Sequence, residues 1–182
     1  VVDLFGSGVQ ARRQLEAVCT VRPIERVMLY SLSGAEQFAA EMAGAGPIPA
    51  DIVIAPSPRA ALAEADIVCT ATTSRTPVFD GRDLRPGTHV NGIGSFTPEM
   101  QEIDAATVRR ARVVVDSRAA ALAEAGGPFL PPPAGGNDLY PHPSPFLHSA
   151  APTPPLIPYS VLLFLKKKQS LTLRHCNRPD LR

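Results

Sequence analysis

Lysine is missing from everything before Lys166, and cysteine occurs only at Cys19, Cys69 and Cys176. The cysteines lie far apart, with no metal-ligand spacing and no even disulfide set. That pattern excludes a disulfide scaffold and fits a reduced, cytoplasmic setting. A secretory signal is not expected, because the sequence opens on Val1-Val2-Asp3 without a basic leader. A membrane span is not expected either. The most apolar late run, Leu156–Leu165, is broken by Pro158 and is about half the ~20 residues a spanning helix needs. Strong charge is lacking too: the formal net charge is +1, too near balance for nucleic acid or an anionic membrane as main partner. The balance is uneven, with twelve arginines against fifteen acids through Gly126, then three lysines, three arginines and two acids.

What is present divides into two parts. At 182 residues the chain suffices for one domain with a sizeable core and is too short for two. Through Gly126, short apolar runs alternate with longer amphipathic ones. Val1–Phe5, Val27–Tyr30, Ile52–Ile54, Ile67–Ala71, His89–Ile93 and Val113–Val115 read as strands, rich in Val and Ile and bounded by turn residues. Gln10–Cys19, Ala35–Ala43, Pro58–Ala65, Pro98–Arg109 and Arg118–Ala125 read as helices, dominated by Ala, Leu, Glu and Arg. This alternation predicts an α/β doubly wound parallel sheet, a Rossmann domain over residues 1–126. Asp3 breaks the pattern, because a central parallel strand is apolar throughout. Residues 127–182 follow another grammar. Eleven of the twenty prolines fall between Gly126 and Ser160, and proline removes amide donors and fixes φ. A proline-rich, irregular, disordered tail is expected there, in which Lys166-Lys167-Lys168 is a solvated run.

Gly6-Ser7-Gly8-Val9-Gln10-Ala11 fits G-x-G-x-x-A between a strand and a helix. Gly6 permits the tight turn, Gly8 lets backbone approach a pyrophosphate, and Ala11 lets the helix pack close to the sheet. Free amides and the positive helix end then face phosphate. About twenty residues on, the position that reads the adenosine ribose falls at Ser31. A serine does not repel a 2′-phosphate as an acid would, so the sequence leans towards NADP or dual use. The loops after the fourth and fifth strands, Cys69–Ser74 and Asn91–Phe96, should face the nicotinamide, the glycines of the second permitting close approach of a flat ring. No metal site is expected, since His175 and Cys176 are neighbours without further ligands. His89 reads as a structural histidine at a strand start, Cys69 and Cys19 as small buried hydrophobes. Glu99, Glu102 and Asp104 read as solvated acids in the first turns of the helix after Pro98.

"GSGVQA", "EADIVCTATTSRTPVF", "LRPGTHVNGIGSFTPEMQEID" and "VVVDSRAAALAEAG", in that order, resemble the ornithine cyclodeaminase/mu-crystallin family of NAD(P)-dependent proteins over residues 1 to about 126. The resemblance implies NAD(P)H as cofactor, with Val9 and Gln10 at the pyrophosphate and Ser31 at the adenosine ribose. It places Thr70 after the fourth strand, and Val90, Asn91, Gly92 and Ile93 on the nicotinamide side. The cyclodeaminases carry a catalytic aspartate in a pattern like GxDxPGK, where this sequence has Phe96, with Met100 in place of the lysine. No catalytic residue is therefore carried over, and "GSFTPEM" is more similar to the imine reductases of the family. The function so implied is hydride transfer from NAD(P)H to a cyclic imino acid of the pyrroline- or piperideine-2-carboxylate type. The alternatives are ornithine cyclodeamination and a non-enzymatic NADPH- or small-ligand-binding protein of the mu-crystallin kind. Family members hold the substrate carboxylate with an arginine and a lysine in a domain that precedes the Rossmann part, and they dimerise through it. Without that domain, a fragment that is inactive alone is expected, and a homodimer is expected only with it.

Overall fold

The computed structural model describes residues 1–94, 99–115 and 161–165. A seven-stranded sheet runs through these residues. Its strands are β1 (Val2–Phe5), β2 (Val27–Tyr30), β3 (Ile52–Ile54), β4 (Ile67–Thr70), β5 (His89–Gly92), β6 (Ala111–Val115) and β7 (Val161–Leu165), in the spatial order β3-β2-β1-β4-β5-β7-β6. The first five pair in parallel, with Val2 opposite Val27 on one side and Ile67 on the other. The helices are α1 (Val9–Val21), α2 (Ala35–Met42), α3 (Pro58–Leu62) and α4 (Ala105–Arg110).

Both faces of the sheet are covered at β1, which is why all four of its residues are buried. Alternation along a strand sends successive side chains to opposite faces. Val2 and Leu4 join Leu15 and Val18 of α1 and Phe38 of α2, with Val27, Leu29 and Cys69. Phe5 points the other way, into a core shared with Val68, Val90, Leu62 of α3 and Val108 of α4. Burying each Leu, Val or Phe contributes roughly 1.5–3 kcal/mol.

The expected helix from Pro98 to Arg109 is shorter than the sequence suggests. It begins at Ala105, because the Asp104 side chain accepts from the Thr107 amide at 2.8 Å and caps it there. The same carboxylate accepts from the Gly81 amide at 3.0 Å, fastening α4 to a single 3-10 turn, Gly81–Asp83. The helix expected over residues 118–125 lies outside the described residues, as does most of the expected tail. Five tail residues depart from the irregular expectation: Val161–Leu165 form β7, a run free of proline, antiparallel to both β5 and β6. Because β7 opposes both neighbours, β5 and β6 run in the same direction with β7 wedged between them.

Asp3 remains at odds with its surroundings. It is 0% exposed, and neither carboxylate oxygen has a hydrogen-bond partner among the described residues. Burial raises its pKa to about 8, against the pull of the Val1 amine and Arg85.

Candidate functional site

The carboxyl ends of β1, β2, β4 and β5 open into a cleft of about 1150 Å3. Its floor is set by the turn after β1. Gly6 has φ +103°, and a Cβ there would sit 2.5 Å from the Ala71 carbonyl oxygen, so no other residue fits. Its amide donates to the Tyr30 carbonyl at 2.9 Å, tying the turn to the end of β2. Gly8 caps α1 without any side-chain bond, and a Cβ there would meet nothing within 4 Å. The first-turn amides of α1 thus open on the cleft with no acidic side chain in that turn. Such a helix end favours an anion. Ala11 is fully buried in the α1–sheet core, as the motif requires.

On the β2 side, Ser7 and Ser31 line the cleft with their hydroxyl oxygens 3.1 Å apart. Each lies 2.8 Å from the Ser33 carbonyl oxygen. Two hydroxyl protons serve these three contacts, so both are used within the turn and the lone pairs remain as acceptors. Leu32 beside them is 93% exposed. The two arginines early in α1 are engaged elsewhere: Arg12 pairs with Glu41 at 2.6 Å, and Arg13 with Glu16 at 3.1 Å.

The opposite wall is formed by Ala71–Ser74 and by Ile93 and Gly94. The β4–β5 backbone ladder ends where the Ile93 amide donates to the Thr70 carbonyl at 2.9 Å. Beyond that point the wall is held by Glu102, which is 0% exposed rather than solvated in a helix turn. Its Oε2 accepts from the Thr70 hydroxyl at 2.8 Å and the Gly94 amide at 2.6 Å. Its Oε1 accepts from the Thr72 amide at 2.5 Å. Burial pushes the Glu102 carboxyl above the usual carboxylate range, against the pull of the Thr72, Thr70 and Gly94 donors. Of the other two acids expected to be solvated, Glu99 is exposed and Asp104 is the α4 cap.

Of the ten residues singled out from sequence, Gly6, Gly8, Val9, Gln10, Ser31 and Ile93 line the cleft. Thr70, Val90, Asn91 and Gly92 are buried behind that lining. The Thr70 hydroxyl is spent on Glu102, and Val90 belongs to the core. The Asn91 carboxamide contacts the His89 ring at 2.7 Å and the Cys69 sulfur at 3.6 Å. Phe96 lies outside the described residues. His89 sits at the amino end of β5, remote from the cleft rim, and burial lowers its pKa. Burial likewise pushes the Cys69 thiol up to about 11, which leaves it unreactive. Among the described residues there is no cluster of His, Cys, Asp and Glu suited to a metal, and no helix long and apolar enough to cross a membrane. Among the described residues no charged side chain lines the cleft.

The chain is similar to known proteins. The chain is 39% identical over 129 residues to a Delta(1)-pyrroline-2-carboxylate reductase of Bacillus cereus, covering 70% of this chain and 39% of that protein. It is 31% identical over 142 residues to the mouse ketimine reductase mu-crystallin, covering 77% and 42% respectively. Among solved structures it superimposes, with a TM-score of 0.64 and 42% identity, on the Thermococcus litoralis Delta(1)-pyrroline-2-carboxylate reductase in complex with NADH and L-proline. That match covers 68% of this chain and 38% of the other. The chain thus spans about two fifths of the length of these relatives. Residues 1–131 match the family model, and the chain belongs to the ornithine cyclodeaminase/mu-crystallin family.

Proposed function

We propose that the cleft is a nicotinamide dinucleotide site, and that the chain is the cofactor-binding part of a reductase acting on cyclic imino acids. The observation that carries this reading is the uncapped start of α1 at Gly8, opening on the cleft at the carboxyl ends of the paired strands β1 and β4. The amides of Val9 and Gln10 would hold the pyrophosphate, the Ser7–Ser31 pair the adenosine ribose, and Thr72, Ile93 and Gly94 the nicotinamide side. Bound there, the cofactor supplies a hydride. The protein's part is to orient the dinucleotide and close one face of the ring to water.

The ribose contact favours NADH over NADPH. Lone pairs at Ser7 and Ser31 suit a free 2′-hydroxyl, which donates, and among the described residues no cation lines the cleft to meet a 2′-phosphate. The substrate class rests on kinship with reductases of pyrroline-2-carboxylate. The described cleft has no cation for a substrate carboxylate, so this chain by itself is expected to bind cofactor and turn nothing over. A cofactor-binding role without catalysis is favoured by the same uncharged lining of the described residues.

Titration of the purified chain with NADH and NADPH, followed by nicotinamide fluorescence, tests the reading. Saturable binding, tighter for NADH, is expected. Absence of binding in a chain that melts cooperatively would refute the dinucleotide site. Steady NADH oxidation on adding Δ1-pyrroline-2-carboxylate would refute the expected inactivity.

A further inference from the structure

We propose that Glu102 is the positioning residue for the nicotinamide half of the cleft, its carboxylate holding the ends of β4 and β5 at the separation a flat ring requires. The proposal rests on the dinucleotide reading above and goes beyond it by assigning a role to a side chain that does not line the cleft. Three segments border this half: the end of β4 with the loop after it, the loop after β5, and the segment leading to α4. Glu102 ties all three. Its side chain takes donors from Thr70, Thr72 and Gly94. Its backbone carbonyl accepts from the Val78 amide at 2.9 Å, and the neighbouring Gln101 amide donates to the Ser74 carbonyl at 2.9 Å.

The chemistry of the three donors calls for a carboxylate. The Thr72 and Gly94 groups are backbone amides, which donate only, and they approach different oxygens of the side chain. A carboxamide of the same shape must turn its NH2 against one of them, whereas the Thr70 hydroxyl alone can reverse. Gly94 shows how close the loops are drawn: a Cβ there would collide with the Thr72 carbonyl oxygen and lie 2.5 Å from the Glu102 carboxyl carbon. The glycine is thus required by the carboxylate behind it, in addition to any ring in front. Backbone pairing does not explain this closeness, because the β4–β5 ladder has already ended at Ile93. The adenosine half is built from Gly6–Gln10 and Ser31, and the Glu102 donors Thr70, Thr72 and Gly94 belong to the other half.

The test compares two ligands on the full chain: NADH, and ADP-ribose, which lacks the nicotinamide. Wild type, Glu102→Gln and Thr70→Val are titrated by calorimetry. Wild type is expected to bind both. Glu102→Gln is expected to weaken NADH by about tenfold or more while leaving ADP-ribose unchanged. Thr70→Val removes one of the three bonds and is expected to give a smaller loss, about threefold, with the same selectivity. Should Glu102→Gln fail to fold, Thr70→Val decides. Equal losses for the two ligands, or no loss of NADH, overturn the positioning role and leave the dinucleotide site standing. Failure of wild type to bind either ligand overturns both.

Discussion

Asp3→Asn is expected to stabilise the fold, and to do so by an amount that depends on pH. The folded carboxyl titrates near 8 and the unfolded one near 3.8. At pH 7 the native state therefore keeps a proton that the unfolded chain releases. Each pH unit above 3.8 costs about 1.4 kcal/mol, so the penalty is about 4 kcal/mol at pH 7 and about 2 kcal/mol at pH 5. Below about pH 4 both states are protonated and the penalty vanishes; above about pH 8 both are ionised and it levels off near 6 kcal/mol. In this window the native state binds more protons than the unfolded one, so stability falls as pH rises. The neutral acid and the carboxamide share a shape and lack partners alike, so their burial costs cancel to first order. Denaturant unfolding of both proteins at pH 4, 5, 7 and 8.5 reads the difference directly. At pH 7 it corresponds to roughly 8–16 °C in Tm for a chain of this size. A gain that is the same at pH 4 and pH 8.5, or a variant less stable at pH 8.5, would refute the reasoning.

Gly6→Ala forces a Cβ against the Ala71 carbonyl at φ +103° and should cost about 1–3 kcal/mol of stability, together with NADH binding, in melting and titration experiments. Leu32→Arg places a cation beside Ser31 without disturbing a packed residue. NADPH affinity should rise about tenfold with NADH unchanged, as read by fluorescence titration. Asp104→Ala removes the cap of α4 and its link to Gly81 and should cost about 1–2 kcal/mol in denaturant unfolding. A cost below about 0.3 kcal/mol would show that the 3-10 turn holds α4 without it.

The strands were the most legible part of the molecule. Val2–Phe5 is fully buried and Val27–Tyr30 buries Val27 and Leu29, and burial between two helical layers demands apolar residues whatever lies beside them; Ile52–Ile54 is legible from its β-branched residues alone, since Val53 and Ile54 are exposed at the sheet edge. The glycine turn was equally plain, because its requirements are local: a positive φ at Gly6 and open space at Gly8. Helix α4 was misplaced because Pro98 followed by acids resembles a helix start, while the effective cap is Asp104, three residues before Thr107. Glu102 was hidden for a different reason. Its donors lie 32, 30 and 8 positions away, and only the parallel register of β4 and β5 brings them together. Thr70 reads as a cofactor contact from its place after β4, yet a strand end has two sides, and the hydroxyl faces Glu102. A cue was available in Asp104-Ala105-Ala106-Thr107, a capping sequence that leaves Glu102 outside the helix.

The wedged position of β7 has a consequence for synthesis. Among the described residues β6 is hydrogen-bonded to the sheet only through β7, and residues 116–160 must leave the ribosome before that partner exists. The five-stranded parallel sheet, with its glycine turn and the Thr70–Gly94–Glu102 tie, is complete in sequence by residue 110 and can form while the rest is still being made. Closing the longer loop afterwards adds only a slowly growing entropic cost. A nascent chain stalled just past α4 should therefore already bind dinucleotide, so assembly of the site and completion of the sheet are separate events in time.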